Sequence, residues 1–258
     1  MNSVHSRVAL GVLAEVLLLR VLDGMVGLTA LGWVTGVTCA GVVNVALARG
    51  LSRSGTVRLG PANRVTLARA TLVCAVAALT VHSYVRPAWA APVVAVSTVA
   101  LALDGVDGWV ARRTGTASAL GALFDQEVDA FLILILSVLV APSAGVWVLA
   151  MGAARYAFLV AGWLVPWFTA QLPRRYWRKV VAAVQGIALT GAAAHVLPSA
   201  VTAAALVLAL ALLTESFGRD VWWLWRRRPG RNRPVLGLSV PEPRGARQAD
   251  VEQTAVRT

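Results

Sequence analysis

The feature that most constrains this chain is a series of long apolar stretches separated by short loops. From about residue 62 onward, six such stretches follow one another, at roughly 63–85, 89–112, 117–140, 145–168, 177–197 and 199–218. A helix that crosses a bilayer needs about 20 mostly apolar residues. Only 14% of the residues are charged, compared with about 25% in ordinary soluble domains. The sequence therefore predicts an all-α, polytopic membrane protein with a six-helix transmembrane core.

The basic residues are concentrated in alternate loops of this core. One side holds only Arg86, and the other holds Arg53, Arg58, Arg64, Arg112, Arg113, Arg174, Arg175, Arg178, Lys179, Arg219 and Arg226 to Arg228. An excess of Lys and Arg marks cytoplasmic loops, so we expect a cell-membrane protein with its basic side in the cytoplasm. This distribution accounts for the net charge of +12 without a nucleic-acid partner, which would need a basic stripe on a soluble fold.

Two regions flank the core, which we place at residues 56–225. Residues 1–55 form an N-terminal membrane region, in which about 25–48 could span once. The shorter segment 8–22 carries Glu15 and Arg20, and it is either a second short span or an interfacial helix. Residues 226–258 are polar and rich in Arg, Pro and Gly, and this composition predicts a disordered basic cytoplasmic tail.

The acidic residues of the core form a single cluster. Between residues 24 and 214 there are five, all within one 26-residue window: Asp104, Asp107, Asp125, Glu127 and Asp129. Ionised groups within a membrane are costly and usually face a cavity or a partner. Several carboxylates also repel one another unless a cation joins them. Hard oxygen ligands of this kind suit Mg²⁺ or Mn²⁺, so the cluster predicts a divalent-cation site.

The spacing of the aspartates supports a shared site. Asp104 and Asp107 lie on one face of a helix, and Asp125 and Asp129 lie on one face of the next. The turn at residues 114–116 separates the two helices. At about 1.5 Å per residue, Asp104 and Asp125 both lie roughly 15 Å from that turn, so an antiparallel hairpin would bring the two pairs to similar depth.

A simpler alternative is that the cluster forms salt bridges with Arg112, Arg113 and Arg155. Two glycines beside the carboxylates, Gly108 and Gly121, favour the close approach of a ligand or of a neighbouring helix instead. Glu127 points away from its aspartate neighbours, and we expect it to face head groups or solvent.

The segment DGVDGWVARRTGTASALGALFDQEVD resembles the signature of the CDP-alcohol phosphotransferases, D-x2-D-G-x2-A-R-x8-G-x3-D-x3-D. Every fixed position is matched, by Asp104, Asp107, Gly108, Ala111, Arg112, Gly121, Asp125 and Asp129. Asn63, Thr66 and Arg69 resemble the P-N-x-x-T-x-x-R start of the family's first core helix, with one extra residue after Pro61. Lys179 and Gln185 are similar to the start of its fifth, although Arg178 and Ala182 replace Gly and Thr. The resemblance covers about residues 61–218.

The resemblance implies a membrane enzyme that moves a phosphatidyl group from a CDP-diacylglycerol-type lipid to an alcohol and releases CMP. It implies that Asp104, Asp107, Asp125 and Asp129 hold two divalent cations, with Asp129 as the catalytic general base. It further implies that the CDP-lipid is bound by Asn63, Thr66, Asp107, Gly108, Ala111, Arg112 and Gly121. For Asn63 and Thr66, helix capping is an alternative interpretation. Family members are often dimers, so a homodimer is an expectation of the resemblance alone.

The acceptor alcohol is predicted from the remaining basic residues. A cytoplasmic pocket for an anionic alcohol, such as glycerol 3-phosphate or inositol phosphate, could be lined by Arg155, Arg174, Arg175, Arg178 and Lys179. Two alternatives stay open. Arg155 could be an interfacial residue whose guanidinium extends to the membrane surface. The basic cluster at 174–179 could serve only to orient the protein in the membrane.

Two other classes of protein could use the same acidic cluster. A divalent-cation transporter usually needs polar groups along a path across the membrane, whereas these carboxylates are confined to one side. A non-catalytic membrane scaffold would not need all four signature aspartates. The sequence therefore favours the transferase, without identifying its alcohol or the role of residues 1–55.

Overall fold

The part of the chain that the structure describes is almost entirely helical. The computed structural model describes residues 2–54, 61–86, 90–114, 119–165 and 176–227. Within these ranges there are eight α-helices and no strand. The helices are α1 (Asn2–Val26), α2 (Ala30–Ser54), α3 (Pro61–Val85), α4 (Ala90–Thr114), α5 (Ala119–Ala144), α6 (Leu149–Leu164), α7 (Tyr176–Ala194) and α8 (Ser199–Arg226), and a 3-10 turn, Val146–Val148, precedes α6. The predicted all-α fold is confirmed.

Six of the described segments are long and apolar enough to cross a membrane. They are α2, α3, α4, α5, α8 and the segment formed by α6 with its preceding turn. Their outer faces expose large apolar side chains, such as Val34 on α2, Leu123 on α5 and Leu208 on α8. Exposed apolar surface on this scale is typical of contact with a membrane or a partner. The structure therefore agrees with the prediction of a polytopic membrane protein.

The six apolar helices are five of the six predicted core spans together with α2, which corresponds to the predicted N-terminal span at 25–48. The predicted fifth span, 177–197, corresponds to α7, which is not among them, whereas α2 is. α7 carries Arg178 and Lys179 in its first turn and Gln185 near its middle, and these residues reduce its apolarity. It still packs against α4, α5 and α8, so it lies within the bundle.

α3 is the central helix of the bundle. It packs against α1, α2, α4 and α5, and 67% of its apolar span is buried. Residues 73–80 are all buried, on every side of the helix. A helix that is apolar all round belongs in the interior of a protein. The two N-terminal helices therefore complete the enclosure of α3.

The N-terminal region forms two long helices, α1 and α2, where segments 8–22 and 25–48 were predicted. α1 directs Leu10, Leu13 and Leu17 outward, while Glu15 and Leu19 are fully buried against its neighbours. An interfacial helix would show a polar outer face. The apolar outer face of α1 favours an embedded helix over an interfacial one.

α5 and α6 approach each other closely at Gly152. A Cβ atom at this position would lie 2.5 Å from the Cα atom of Leu134 on α5, which is closer than real Cβ atoms come, so only glycine fits without displacing the backbone. Arg155 lies three residues further along α6. The close approach at Gly152 therefore fixes α6 where its arginine can reach the first turns of α5.

α8 is longer than predicted and ends at Arg226 instead of residue 218. An ion pair between Glu215 and Arg219, four residues apart, and the stacked rings of Trp222 and Trp225, 5.3 Å between centroids, lie on the added turns. Such pairs one helical turn apart stabilise a continuous helix. The basic residues after the apolar stretch therefore continue the helix instead of ending it.

Candidate active site

Three of the signature aspartates meet where α4 and α5 face each other. Asp104 lies on α4, and Asp125 and Asp129 lie one turn apart on α5. One carboxylate oxygen from each lies within 4.8 Å of the other two. Asp125 is buried, and the side chains of Asp104 and Asp129 are 28% and 22% exposed. The cluster is thus largely shielded but reachable.

A single buried arginine from α3 joins the three carboxylates. Nη1 of Arg69 donates hydrogen bonds to Oδ1 of Asp104 at 2.9 Å and to Oδ1 of Asp125 at 2.6 Å. Nη2 of Arg69 donates to Oδ1 of Asp129. The Arg69 side chain is 1% exposed, and a buried charge of this kind is tolerated only with well-placed partners. Arg69 therefore ties α3 to both aspartate-bearing helices.

Lys179, at the start of α7, is the second cation of the cluster. Its Nζ atom donates to Oδ2 of Asp125 at 3.1 Å, so Asp125 is held by Arg69 on one oxygen and by Lys179 on the other. Three carboxylates against these two cations leave one negative charge in excess. The described cluster therefore still favours a further cation.

Replacing Arg69 by Met should destabilise the protein strongly. The change leaves three close carboxylates without their shared cation, and breaking a buried ion pair on one side typically costs about 3–5 kcal/mol. We expect a clear fall in the thermal midpoint in detergent with EDTA present, partly reversed by Mn²⁺. Arg219→Gln is the control, because its pair with Glu215 is largely exposed and contributes about 1 kcal/mol or less. Equal midpoints for the two variants would contradict this account of Arg69.

A cavity of about 740 Å³ adjoins the cluster and is bounded by α5, α6, α7 and α8. Asp125 and Asp129 stand on its wall. Most of the lining is apolar, with Ile133, Met151 and Leu213 among the contributors. The other charged or polar residues of its lining are Gln126, Arg155, Arg178, Lys179, Gln185, Ser216 and Asp220.

Two further ion pairs border this cavity. Arg178 on α7 donates to Asp220 on α8 at 2.8 Å. Arg155 on α6 donates to Glu127 on α5. The expectation that Glu127 simply faces solvent or head groups was therefore incomplete: its side chain is 45% exposed, but the rotation of α6 brings Arg155 onto it. The proposed salt bridges between the aspartates and Arg155 are not found in the described residues, where Arg155 pairs with Glu127.

The other predicted site residues fall into two groups. Thr66 is buried on α3, three residues before Arg69, and Gly108 and Gly121 lie on α4 and α5 near the aspartates. The remaining predictions concern side chains or residues outside the described part of the chain, namely Asn63, Asp107, Ala111, Arg112, Arg174 and Arg175. Their roles stay predictions.

Sequence reasoning overlooked part of this site. It gave no role to Arg69 or Gln185, and it passed over Ser216 and Asp220. For Arg69 a signal existed, because an arginine inside an apolar span is costly and implies a partner. For Asp220 the sequence offers little, since it lies among the basic residues that end α8.

These features define a class of protein: a helical membrane protein with a shielded carboxylate cluster beside a partly open cavity, suited to charge-stabilised chemistry on a polar substrate. A family model described as CDP-alcohol phosphatidyltransferase matches residues 59–214, from just before α3 to within α8. The chain therefore belongs to the CDP-alcohol phosphatidyltransferase family. No curated protein matches the chain, and no solved structure does.

Membership in this family makes the chain a membrane transferase of phospholipid biosynthesis. Its reaction is the transfer of a phosphatidyl group from a CDP-linked lipid to an alcohol. The matched residues include all three clustered aspartates, Arg69 and Lys179. The match does not include α1 and α2, which enclose α3 from outside the matched domain.

Proposed function

We propose that this protein transfers the phosphatidyl group of a CDP-diacylglycerol-type lipid to a phosphorylated polyol, glycerol 3-phosphate or inositol phosphate, and releases CMP. The observation that carries the proposal is the meeting of three signature aspartates within 4.8 Å, beside a cavity that also contains Arg155, Arg178 and Lys179. We propose further that this site opens to the cytoplasmic face of the cell membrane, as the basic loops indicate, and that the protein forms a homodimer.

The carboxylate cluster fits a divalent cation. Its oxygens are hard ligands, they lie close enough to share one ion, and they carry excess negative charge. Mg²⁺ or Mn²⁺ would be held by Asp104, Asp125 and Asp129, together with Asp107 as the family signature implies. A bound divalent cation would neutralise negative charge on the pyrophosphate and on the departing CMP.

Asp129 is the proposed general base. Its Oδ1 accepts a hydrogen bond from Arg69, and this bond orients the carboxylate. Oδ2 is then the oxygen that takes the proton. The acceptor oxygen attacks the phosphorus of the phosphatidyl group, the bond from that phosphorus to the bridging oxygen breaks, and CMP leaves with that oxygen. The proton of the acceptor hydroxyl passes to Asp129. Positioning and charge stabilisation supply most of the acceleration in such a transfer.

The nucleotide would lie on the α3–α4 side of the aspartates. By the family signature, Gly108 and Ala111 let it approach α4, with Asn63, Thr66, Asp107, Arg112 and Gly121 as further contacts. Thr66 lies one helical turn before Arg69 on α3 and is buried, and residues three apart share a helix face, which supports this location.

The acceptor would lie on the opposite side, in the cavity between α5 and α8. The three described cations there are each paired with a carboxylate, but a guanidinium has five N–H donors and an ammonium has three. Arg155, Arg178 and Lys179 can therefore bind a phosphate while keeping their partners. Arg174 and Arg175 are proposed to add to this positive wall.

The proposal is tested by assaying CMP release from CDP-diacylglycerol by the purified full-length protein. Glycerol 3-phosphate, inositol phosphate, inositol, serine and phosphatidylglycerol are supplied in turn with Mg²⁺ or Mn²⁺. We expect acceptor-dependent CMP release with a phosphorylated polyol, abolished by EDTA and restored by excess divalent cation. The control omits the acceptor. Release with serine or unphosphorylated inositol alone would contradict the acceptor class, and no release with any acceptor would defeat the proposed reaction.

A further inference from the structure

Gln185 is a buried polar residue for which the proposed chemistry has no use so far. It lies on α7, is 3% exposed, and forms part of the cavity lining. Its Nε2 atom has no hydrogen-bond partner among the described residues. Buried donors are almost always satisfied in folded proteins, and an unsatisfied one is costly. Because Gln185 also lines the cavity, it is placed where a ligand bound in the cavity would complete its hydrogen bonding.

The position of Gln185 along α7 puts it at the inner part of the cavity. It lies six residues beyond Lys179, about 9 Å further along the helix. Lys179 pairs with Asp125, and Asp129 lies one turn further along α5. In the predicted topology, α5 and α7 both run inward from the basic face. Gln185 then lies deeper than Lys179, just as Asp129 lies deeper than Asp125.

The backbone that carries Gln185 is closely held. A Cβ atom on the adjacent Gly186 would lie 2.6 Å from a methyl carbon of Leu101 on α4. Such close packing between α7 and α4 limits the movement of this turn. The side chain of Gln185 is therefore presented to the cavity from a fixed position, which suits selective binding.

The walls of the cavity favour the acceptor over the nucleotide as the partner of Gln185. All of its lining residues come from α5, α6, α7 and α8, whereas the nucleotide contacts implied by the family signature lie mainly on α3 and α4. The aspartates separate the two sides. Ser216 and Asp220 of α8 continue the polar lining from Gln185 toward Arg178.

We propose that Gln185 binds the acceptor alcohol, with its Nε2 donating a hydrogen bond to an oxygen other than the attacking hydroxyl. This contact would turn the attacking hydroxyl toward Asp129. The substrate class is then a polyol with at least two oxygens near the reacting carbon, and a simple alcohol is rejected. Sites that hydrogen-bond a substrate hydroxyl discriminate strongly against analogues that lack it. The inference rests on the proposed function and specifies its acceptor.

The test compares glycerol 3-phosphate with 3-hydroxypropyl phosphate, which lacks the middle hydroxyl. In Gln185→Leu, we expect kcat/KM for glycerol 3-phosphate to fall by about 10- to 100-fold, the range for loss of one buried hydrogen bond. The KM for CDP-diacylglycerol should stay unchanged. The unmodified protein should prefer glycerol 3-phosphate to 3-hydroxypropyl phosphate, and Gln185→Leu should show no such preference. If inositol phosphate is the better acceptor, the same comparison uses inositol phosphate lacking one hydroxyl.

Thr190→Val is the matched control. Thr190 is another buried residue of α7 whose hydroxyl has no partner among the described residues, and it does not line the cavity. Its variant should keep the acceptor kinetics of the unmodified protein. Gln185→Met, which conserves volume but has no N–H donor, guards against misfolding of the leucine variant and should show the same loss.

Several outcomes would overturn the inference. Unchanged acceptor discrimination in Gln185→Leu and Gln185→Met would do so, and so would an equal loss in Thr190→Val. A raised KM for the CDP-lipid in place of the acceptor would assign Gln185 to the donor. If the unmodified protein releases no CMP with any acceptor, the proposed function fails first, and this inference fails with it.

Discussion

In the Asp129→Asn variant, kcat for CMP release is expected to fall by about 10²–10⁴-fold, the usual contribution of a positioned general base. The amide has nearly the shape of the carboxylate and can still accept the hydrogen bond from Arg69 through its carbonyl oxygen. It cannot take the proton of the acceptor hydroxyl. The fold should therefore persist while turnover is lost, as measured by CMP release together with the thermal midpoint.

Glu127→Gln provides the control for this experiment. Glu127 lies two residues from Asp129 on the same helix, pairs with Arg155, and does not line the cavity. The change removes the same charge from nearly the same place. We expect kcat to stay close to that of the unmodified protein. Equal kcat in both variants would mean that Asp129 is not the base.

The second large effect is expected for Asp104→Ala, which removes the carboxylate that α4 contributes. Arg69 keeps Asp125 and Asp129 as partners, so the bundle should stay folded. A metal site deprived of one carboxylate should bind Mn²⁺ at least about 10- to 100-fold more weakly, since even the loss of groups that only support a ligand has effects of this size. CMP release should be abolished at ordinary metal concentration.

Mn²⁺ binding is measured directly, by titration followed with electron paramagnetic resonance, so the result does not depend on turnover. Asp23→Asn serves as the control, because it removes an equal charge at an exposed pair with Arg20 on α1. Undiminished Mn²⁺ affinity in Asp104→Ala would remove Asp104 from the set of metal ligands and leave its role to the contact with Arg69.

Sequence spacing was sufficient to bring the aspartates together in the prediction. Separations of three and four residues place side chains on one helix face, and equal distances from a tight turn place two faces at one depth. These rules concern a single helix or a single hairpin. Asp104 and Asp125 could therefore be paired without knowledge of any other helix.

The partners of those aspartates could not be predicted in the same way. Arg69 reaches Asp129 across 60 residues of sequence, and Arg178 reaches Asp220 across 42. Such contacts depend on how α3, α7 and α8 rotate and tilt in the bundle, and a helix of low amphipathicity does not encode its own rotation. The same limitation explains why Gln185 was noticed only as part of a pattern and not as part of a cavity wall.

The enclosure of α3 has a consequence for the earliest part of the chain. Arg69 lies on a helix that packs against α1 and α2 as well as against α4 and α5. A substitution on the inner face of α1, many residues outside the matched domain, would therefore tilt the guanidinium away from its carboxylates. In this protein, helices outside the matched domain therefore help to position a residue of the active site.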